Sequence, residues 1–305
     1  MTTTVRGRHR KLRRNILHTV VATALLAGTF TVVDQNINTT AAYAAAAGDL
    51  DTTFNTNVAT SAPGNTVNRV VQDSNGNSYV ASNSGLKKYL PTGMPDTTFN
   101  TNAATAASGA ANTVALDSLG RIYVGSNGDL KRLTTTGTAD TAFNTNTGTS
   151  VSTETVSRIA VLSSGTIVYA SNRSPYLVGL TSTGTLDNTF KTNVGSALSA
   201  VPLAITIGPS NEIYVGGGFT GFLKKFSAVG VPDATFNGNV TTLSASVNAI
   251  ARQANGSLLV GGSFTAKLAR FSATGVADSS FATAVGTSID GAVSAIGILS
   301  DNSIV

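Results

Sequence analysis

The chain has 305 residues, of which 41% are hydrophobic and only 11% charged, against roughly 25% charged residues in ordinary globular proteins. That is enough for one large β domain, and the Gly, Asn, Ser and Thr that fill the gap are poor helix-interior residues. The net charge of +5 comes from Arg6, Arg8, Arg10, Lys11, Arg13 and Arg14; beyond residue 44 there remain 14 basic and 14 acidic residues, so the charge gives no reason to expect a nucleic acid partner.

Residues 1–44 read as an export signal. A basic segment ends at Arg14, an apolar run covers Ile16 to Val33, and Ala42-Tyr43-Ala44 offers a cleavage site. Arg13-Arg14 loosely fits a twin-arginine signal, but Leu12 stands where such signals carry Ser or Thr, which favours ordinary Sec export. A retained membrane anchor is disfavoured by His18, Gly28 and four threonines within the run. The body, 45–305, is therefore expected to be secreted or at the cell surface, touching a membrane only through that signal. It has no cysteine, so packing alone must hold it together.

The body is repetitive. G-x-x-D-x-x-F occurs six times: Gly48, Asp51 and Phe54; Gly93, Asp96 and Phe99; Gly137, Asp140 and Phe143; Gly184, Asp187 and Phe190; Gly230, Asp233 and Phe236; Gly275, Asp278 and Phe281. The aspartates are 45, 44, 47, 46 and 45 residues apart. Each interval opens with a strand of spaced aliphatics, such as Val156, Ile159 and Val161, and turns through a polar segment such as Asp117 to Gly120. A second strand follows, as in Ile122-Tyr123-Val124 or Ile213-Tyr214-Val215, apolar on consecutive positions and so buried on both faces. The small residue after it (Ala81, Gly125, Ala170, Gly216 or Gly261) invites close approach by a neighbouring backbone. A short third strand comes next, as in Leu223 to Phe226. The motif is then expected to turn into an outer strand or irregular arm, with Asn100 to Asn112 and Asn144 to Glu154 as surface loops.

Three or four short strands in about 45 residues predict an all-β protein, a β-propeller, with units near 55–99, 100–143, 144–190, 191–236, 237–281 and a partial unit at 282–305. Val305 aligns with Val260, inside the second strand of the sixth unit. Five blades are thus complete and the sixth truncated, which favours a fragment of a six- or seven-bladed ring over an imperfectly closed one.

The motif, together with Ile213-Tyr214-Val215-Gly216-Gly217 and Lys224-Lys225-Phe226, resembles the delta-60 repeats of bacterial β-propellers, over about 48–305. The best copies are 211–236 and 256–281; the third unit departs, with Ser171-Asn172-Arg173 in place of the double glycine. Asp73 to Val80 and Asp117 to Val124 also resemble NHL-type propeller repeats. The resemblance implies a repeat propeller on an exported or surface protein and carries no catalytic residue with it.

Chemistry is sparse. Both histidines, His9 and His18, fall in the leader, so the body can carry no Ser-His-Asp triad, Cys-His pair or His/Cys zinc site. No cofactor is expected. The six repeated aspartates could form a carboxylate ring, but one copy per unit at a fixed offset is what turn residues give, and the phenylalanines read as core anchors. Lys88, Arg132, Lys225 and Arg270 stand five residues before the motif glycine, with Gly179 breaking the series; they read as an anion-binding ring or, more simply, as ion-paired strand residues. Asp73-Ser74-Asn75-Gly76-Asn77 lacks the downstream Glu of a calcium loop and reads as a hairpin turn. Of the two glutamates, Glu154 falls in a loop and Glu212 opens a strand. The expected function is a non-catalytic, monomeric binding or cell-surface scaffold, with a protein or glycan ligand at one loop face. The alternatives are a carboxylate-based polysaccharide-active enzyme and a purely structural module of a larger surface protein.

Overall fold

Each interval between motifs folds as three antiparallel strands. The computed structural model describes residues 52–59, 66–286, 288–299 and 302–305; the leader, Gly48 and Asp51 lie outside the described residues. The first sheet is β1 (Val67–Gln72), β2 (Ser78–Ser82) and β3 (Gly85–Tyr89). The second is β4 (Thr113–Leu116), β5 (Ile122–Ser126) and β6 (Asp129–Leu133), and the third β7 (Val156–Val161), β8 (Ile167–Ser171) and β9 (Leu177–Leu180). The fourth is β10 (Pro202–Ile207), β11 (Ile213–Gly217) and β12 (Leu223–Phe226), and the fifth β13 (Val247–Arg252), β14 (Leu258–Gly262) and β15 (Leu268–Phe271). In the partial sixth unit Ile298 bridges Ile304, and Gly297 and Val305 exchange backbone hydrogen bonds.

The sheets are blades. Their first strands β1, β4, β7, β10 and β13 pack side by side in sequence order, while β1 and β13 are not packed together in this way, so the ring is open. The core is a series of layers between blades: Tyr123, Phe143 and Val156 share one layer, and Val168, Phe190, Ile205 and Val215 the next. Second strands are buried on both sides, with Ile167, Val168 and Tyr169 all inaccessible. The small residue after them faces a side chain rather than the expected backbone: a Cβ on Gly125, Gly216 or Gly261 would collide with Val156, Val247 or Val293 of the following blade.

The segment after each aspartate differs from expectation. It is a short helix, not an outer strand or irregular arm: α1 (Thr52–Ala59), α2 (Thr97–Ala106), α3 (Thr141–Ser150), α4 (Asn188–Val194), α5 (Ala234–Asn239) and α6 (Ser279–Val285). Much of the two stretches read as surface loops is therefore helical. The Thr- and Asn-rich composition argues against helix, but two features override it. Asp96, Asp140, Asp187, Asp233 and Asp278 are N-caps whose carboxylates accept the backbone N–H three residues on. That N–H belongs to the motif phenylalanine, which buries the inner face of the turn; Phe99, Phe143, Phe190 and Phe236 are at most 1% exposed.

Candidate functional site

The repeated residues are consumed by the fold. Each described motif aspartate caps its helix with one oxygen. In four copies the other oxygen meets the strand-three cation: Lys88 to Asp96 at 3.0 Å, Arg132 to Asp140 at 2.8 Å, Lys225 to Asp233 at 2.9 Å and Arg270 to Asp278 at 2.7 Å. The cations also lie over the phenylalanine rings, Arg132 at 4.2 Å from the centroid of Phe143. For Asp233 the Phe236 N–H, then Lys225, hold the carboxyl below its ordinary range against the opposing effect of burial. Burial acts more strongly on Asp96, yet the same two kinds of partner, the Phe99 N–H and Lys88, outweigh it and its carboxyl is also lowered.

The third unit shows what the cation replaces. Gly179 stands in its position, and the Phe190 ring sits where a side chain would be: a Cβ on Gly179 would lie 2.6 Å from Phe190 Cγ. Gly179→Ala, a step toward the sister repeats, should therefore destabilise the protein by about 1–3 kcal/mol through overpacking. Urea unfolding of the variant checks this; unchanged stability would show that the ring can retreat.

The motif also joins blades. Gly93, Gly137, Gly184, Gly230 and Gly275 all have positive φ, and each sits against the motif phenylalanine of the preceding unit, from Phe54 to Phe236 in turn. Three residues after those phenylalanines comes an asparagine that sequence reading passed over. Asn57, Asn102, Asn146, Asn193 and Asn239 donate to the carbonyls of Thr92, Thr136, Thr183, Val229 and Thr274 at 2.8–2.9 Å, each one residue before the next motif glycine. The signal was in plain sight as G-x-x-D-x-x-F-x-x-N; the last copy has Ala284 instead.

Asp73, Asp117, Glu154 and Glu212 are occupied as well. Asp73 accepts from the Asn75 and Asn77 N–H groups and from the Tyr79 hydroxyl, as a hairpin turn rather than a calcium loop does. Asp117 repeats the arrangement with Leu119, Arg121 and Tyr123. Glu154 accepts from the Tyr169 hydroxyl at 2.9 Å, and burial first, then Glu154, pushes that phenol up. Glu212 accepts from the Ser210 N–H. Among the described residues no group of three or more His, Cys, Asp or Glu side chains is placed to hold a metal.

What remains is an open pocket of about 370 Å³ where blades one to three meet. Blade one gives Thr66, Val67 and Asn68, blade two gives Asn112 and Asn127, and blade three gives Thr155, Ser157 and Arg158. It lies at the end of the ring where first strands begin and second strands turn into third strands. Register shifts in β1 and β7, between Val67 and Arg69 and between Val156 and Arg158, set Asn68 and Ser157 outside the regular ladder. Amides then link the turns to the first strands: Asn68 donates to Asn83 at 3.0 Å and to the Ala111 carbonyl, and Asn112 donates to Asn127 at 3.0 Å. Blades four and five differ at this end. Gly217 and Gly262 leave room there for the rings of Phe219 and Phe264, which are buried.

Residues 253–281 match a family described as "Domain of unknown function (DUF5122) beta-propeller". They coincide with one of the best delta-60-like copies. The chain is a β-propeller repeat protein. No curated protein matches this propeller. Solved structures similar to it include the WD40 β-propeller domain of Doa1, at 14% identity over 67% of this chain with a TM-score of 0.48. The extracellular domain of the putative one component system BT4673 from B. thetaiotaomicron is 11% identical over 78% of the chain, TM-score 0.47. Virginiamycin B lyase from Staphylococcus aureus is 16% identical over 71%, TM-score 0.47. The propeller spans 62%, 31% and 70% of those three chains, the first two shares being less than two thirds. Nothing about activity passes from them to this protein.

Proposed function

We propose that this chain is an exported, non-catalytic β-propeller that binds a ligand at the ring end where the second and third strands turn. One observation carries the reading. The residues of the repeated motif are engaged in capping, ion pairing and packing between blades, whereas the pocket at this ring end is lined by amides, hydroxyls and the Arg158 guanidinium, with Val67 its one apolar side chain. A concave site with convergent polar groups is suited to holding a ligand. A carboxylate-based hydrolase needs two free carboxyls facing one pocket, and no carboxylate lines this one. Export is supported by the leader alone, and a secreted or cell-surface location rests on it.

Two measurements test the reading. Expressed at full length in a bacterial host, the chain should leave the cytoplasm and lose about 44 residues, which mass spectrometry would detect; an intact cytoplasmic product would overturn export. The exported protein, screened against arrays of glycans and surface polymers, should retain at least one class of ligand, and Asn127→Asp should weaken that retention. A screen with no retained ligand of any class would overturn the binding role.

A further inference from the structure

The pocket holds one cation and no anion. Arg158 lines it, and no ion pair reaches its guanidinium among the described residues, unlike Lys88, Arg132, Lys225 and Arg270. Nε donates to the Leu203 carbonyl of the next blade at 2.7 Å and Nη1 to the Ser157 carbonyl at 2.6 Å. Those bonds fix the plane of the fork and leave Nη2 without a partner among the described residues. Burial opposes the charge and lowers the guanidinium pKa, with no neighbouring carboxylate to offset it. A partly dehydrated, pre-oriented fork with a spare N–H edge is what carboxylate recognition requires.

The rest of the lining says what else the ligand carries. Thr66, Thr155 and Ser157 supply hydroxyls, and Asn68, Asn112 and Asn127 supply amides. In the Asn112–Asn127 pair one amide oxygen and one amide nitrogen are satisfied by each other. Asn112 Oδ1 and Asn127 Nδ2 have no partner among the described residues, so the pair offers one acceptor and one donor. Val67 is the one apolar side chain in the lining, and no aromatic ring is present, so an apolar or aromatic side chain has little to rest on. Alternating donors and acceptors around a guanidinium match a ring bearing several hydroxyls and one carboxylate.

We propose that the pocket between blades one and three binds a uronic acid unit of an acidic polysaccharide, with Arg158 taking its carboxylate and the Asn112–Asn127 pair its hydroxyls. This rests on the ligand-binding reading of the same ring end. It moves the anion site away from Lys88, Arg132, Lys225 and Arg270, whose charges are met by their own aspartates.

Calorimetric titration of the purified protein with trigalacturonate, and with its methyl ester as the uncharged counterpart, tests the assignment. Trigalacturonate should bind, and the ester about tenfold or more weakly, as loss of a charge-assisted hydrogen bond gives. Arg158→Gln should produce a similar loss. Because Arg158 also ties blade three to blade four, Asn127→Asp provides a second arm: Asn127 is exposed, and a carboxylate there repels the ligand without touching the guanidinium. Equal binding of acid and ester, or acid binding indifferent to both variants, overturns the proposal. So does preference for a peptide C-terminal carboxylate over the uronate, or for a neutral glycan; either result leaves the binding role standing, which only an empty ligand screen removes.

Discussion

Replacing Phe143 with alanine should lower the free energy of unfolding by about 3–5 kcal/mol, the usual cost of emptying a buried phenylalanine site. The ring is 1% exposed and has three kinds of neighbour. Tyr123 of its own blade meets it edge-on at 5.7 Å, Arg132 lies over its face at 4.2 Å, and the Gly184 turn of the next blade sits against it. No one blade can close the cavity by collapsing, because the walls belong to two. Phe281→Ala is the matched comparison: the Phe281 N–H also donates to its capping aspartate and Arg270 lies over the ring at 4.7 Å, but the ring is partly exposed and no following motif glycine seats against it among the described residues. Denaturant unfolding of both variants should show the Phe143 loss to be at least twice the other. Equal losses would mean that the covering arginine and the capped backbone, shared by both, carry the stabilisation. In a protein built of serial layers the Phe143 variant should also broaden the transition, since coupling between blades is what makes them unfold together.

The same comparison explains what could be read from the sequence. Gly, Asp and Phe at fixed offsets gave the blade period and its strands, because their spacing recurs six times in the sequence. The helices were missed because the segment is rich in Thr and Asn, and its helicity comes from a capping carboxylate and one buried ring, not from propensity. The blade-to-blade asparagines were visible as a repeat, but their acceptors lie more than thirty residues away, so no local rule gives them a role. The pocket was hidden for a related reason. The amide pair Asn68–Asn83 recurs as Asn112–Asn127, and the register shift that frees Asn68 and Ser157 recurs in β10 and β13, so neither marks a site; the lining comes from three blades that only the ring brings together. Residues that serve within one blade repeat and are legible; a lining drawn from three blades becomes visible only when the ring brings it together.

Gly137→Ala should be nearly as damaging as the loss of a core side chain, although it adds one methyl group. Gly137 has φ +86°, and its added Cβ would lie 2.7 Å from the Phe99 carbonyl oxygen and 3.0 Å from Phe99 Cδ2. The left-handed conformation costs a side-chain-bearing residue about 1–3 kcal/mol. The collision adds about 1–3 kcal/mol of overpacking, because the obstructing atom is backbone held by the helix cap at Asp96 and cannot swing away. Together they predict a loss of roughly 2–6 kcal/mol. Gly148→Ala is the counterpart in the helix that follows the same motif: Gly148 lies inside α3 with nothing within 4 Å of its Cβ position, so the substitution should stabilise by about 0.5–1 kcal/mol through helix propensity. Opposite signs, read as shifts of the urea midpoint, would establish that the motif glycine serves as the seat of the preceding blade and not as a replaceable turn residue. A Gly137→Ala protein as stable as the parent would show that adjacent blades can separate at this turn without cost, and the packing between them would then have to reside in the first-strand valines such as Val156 and Val247.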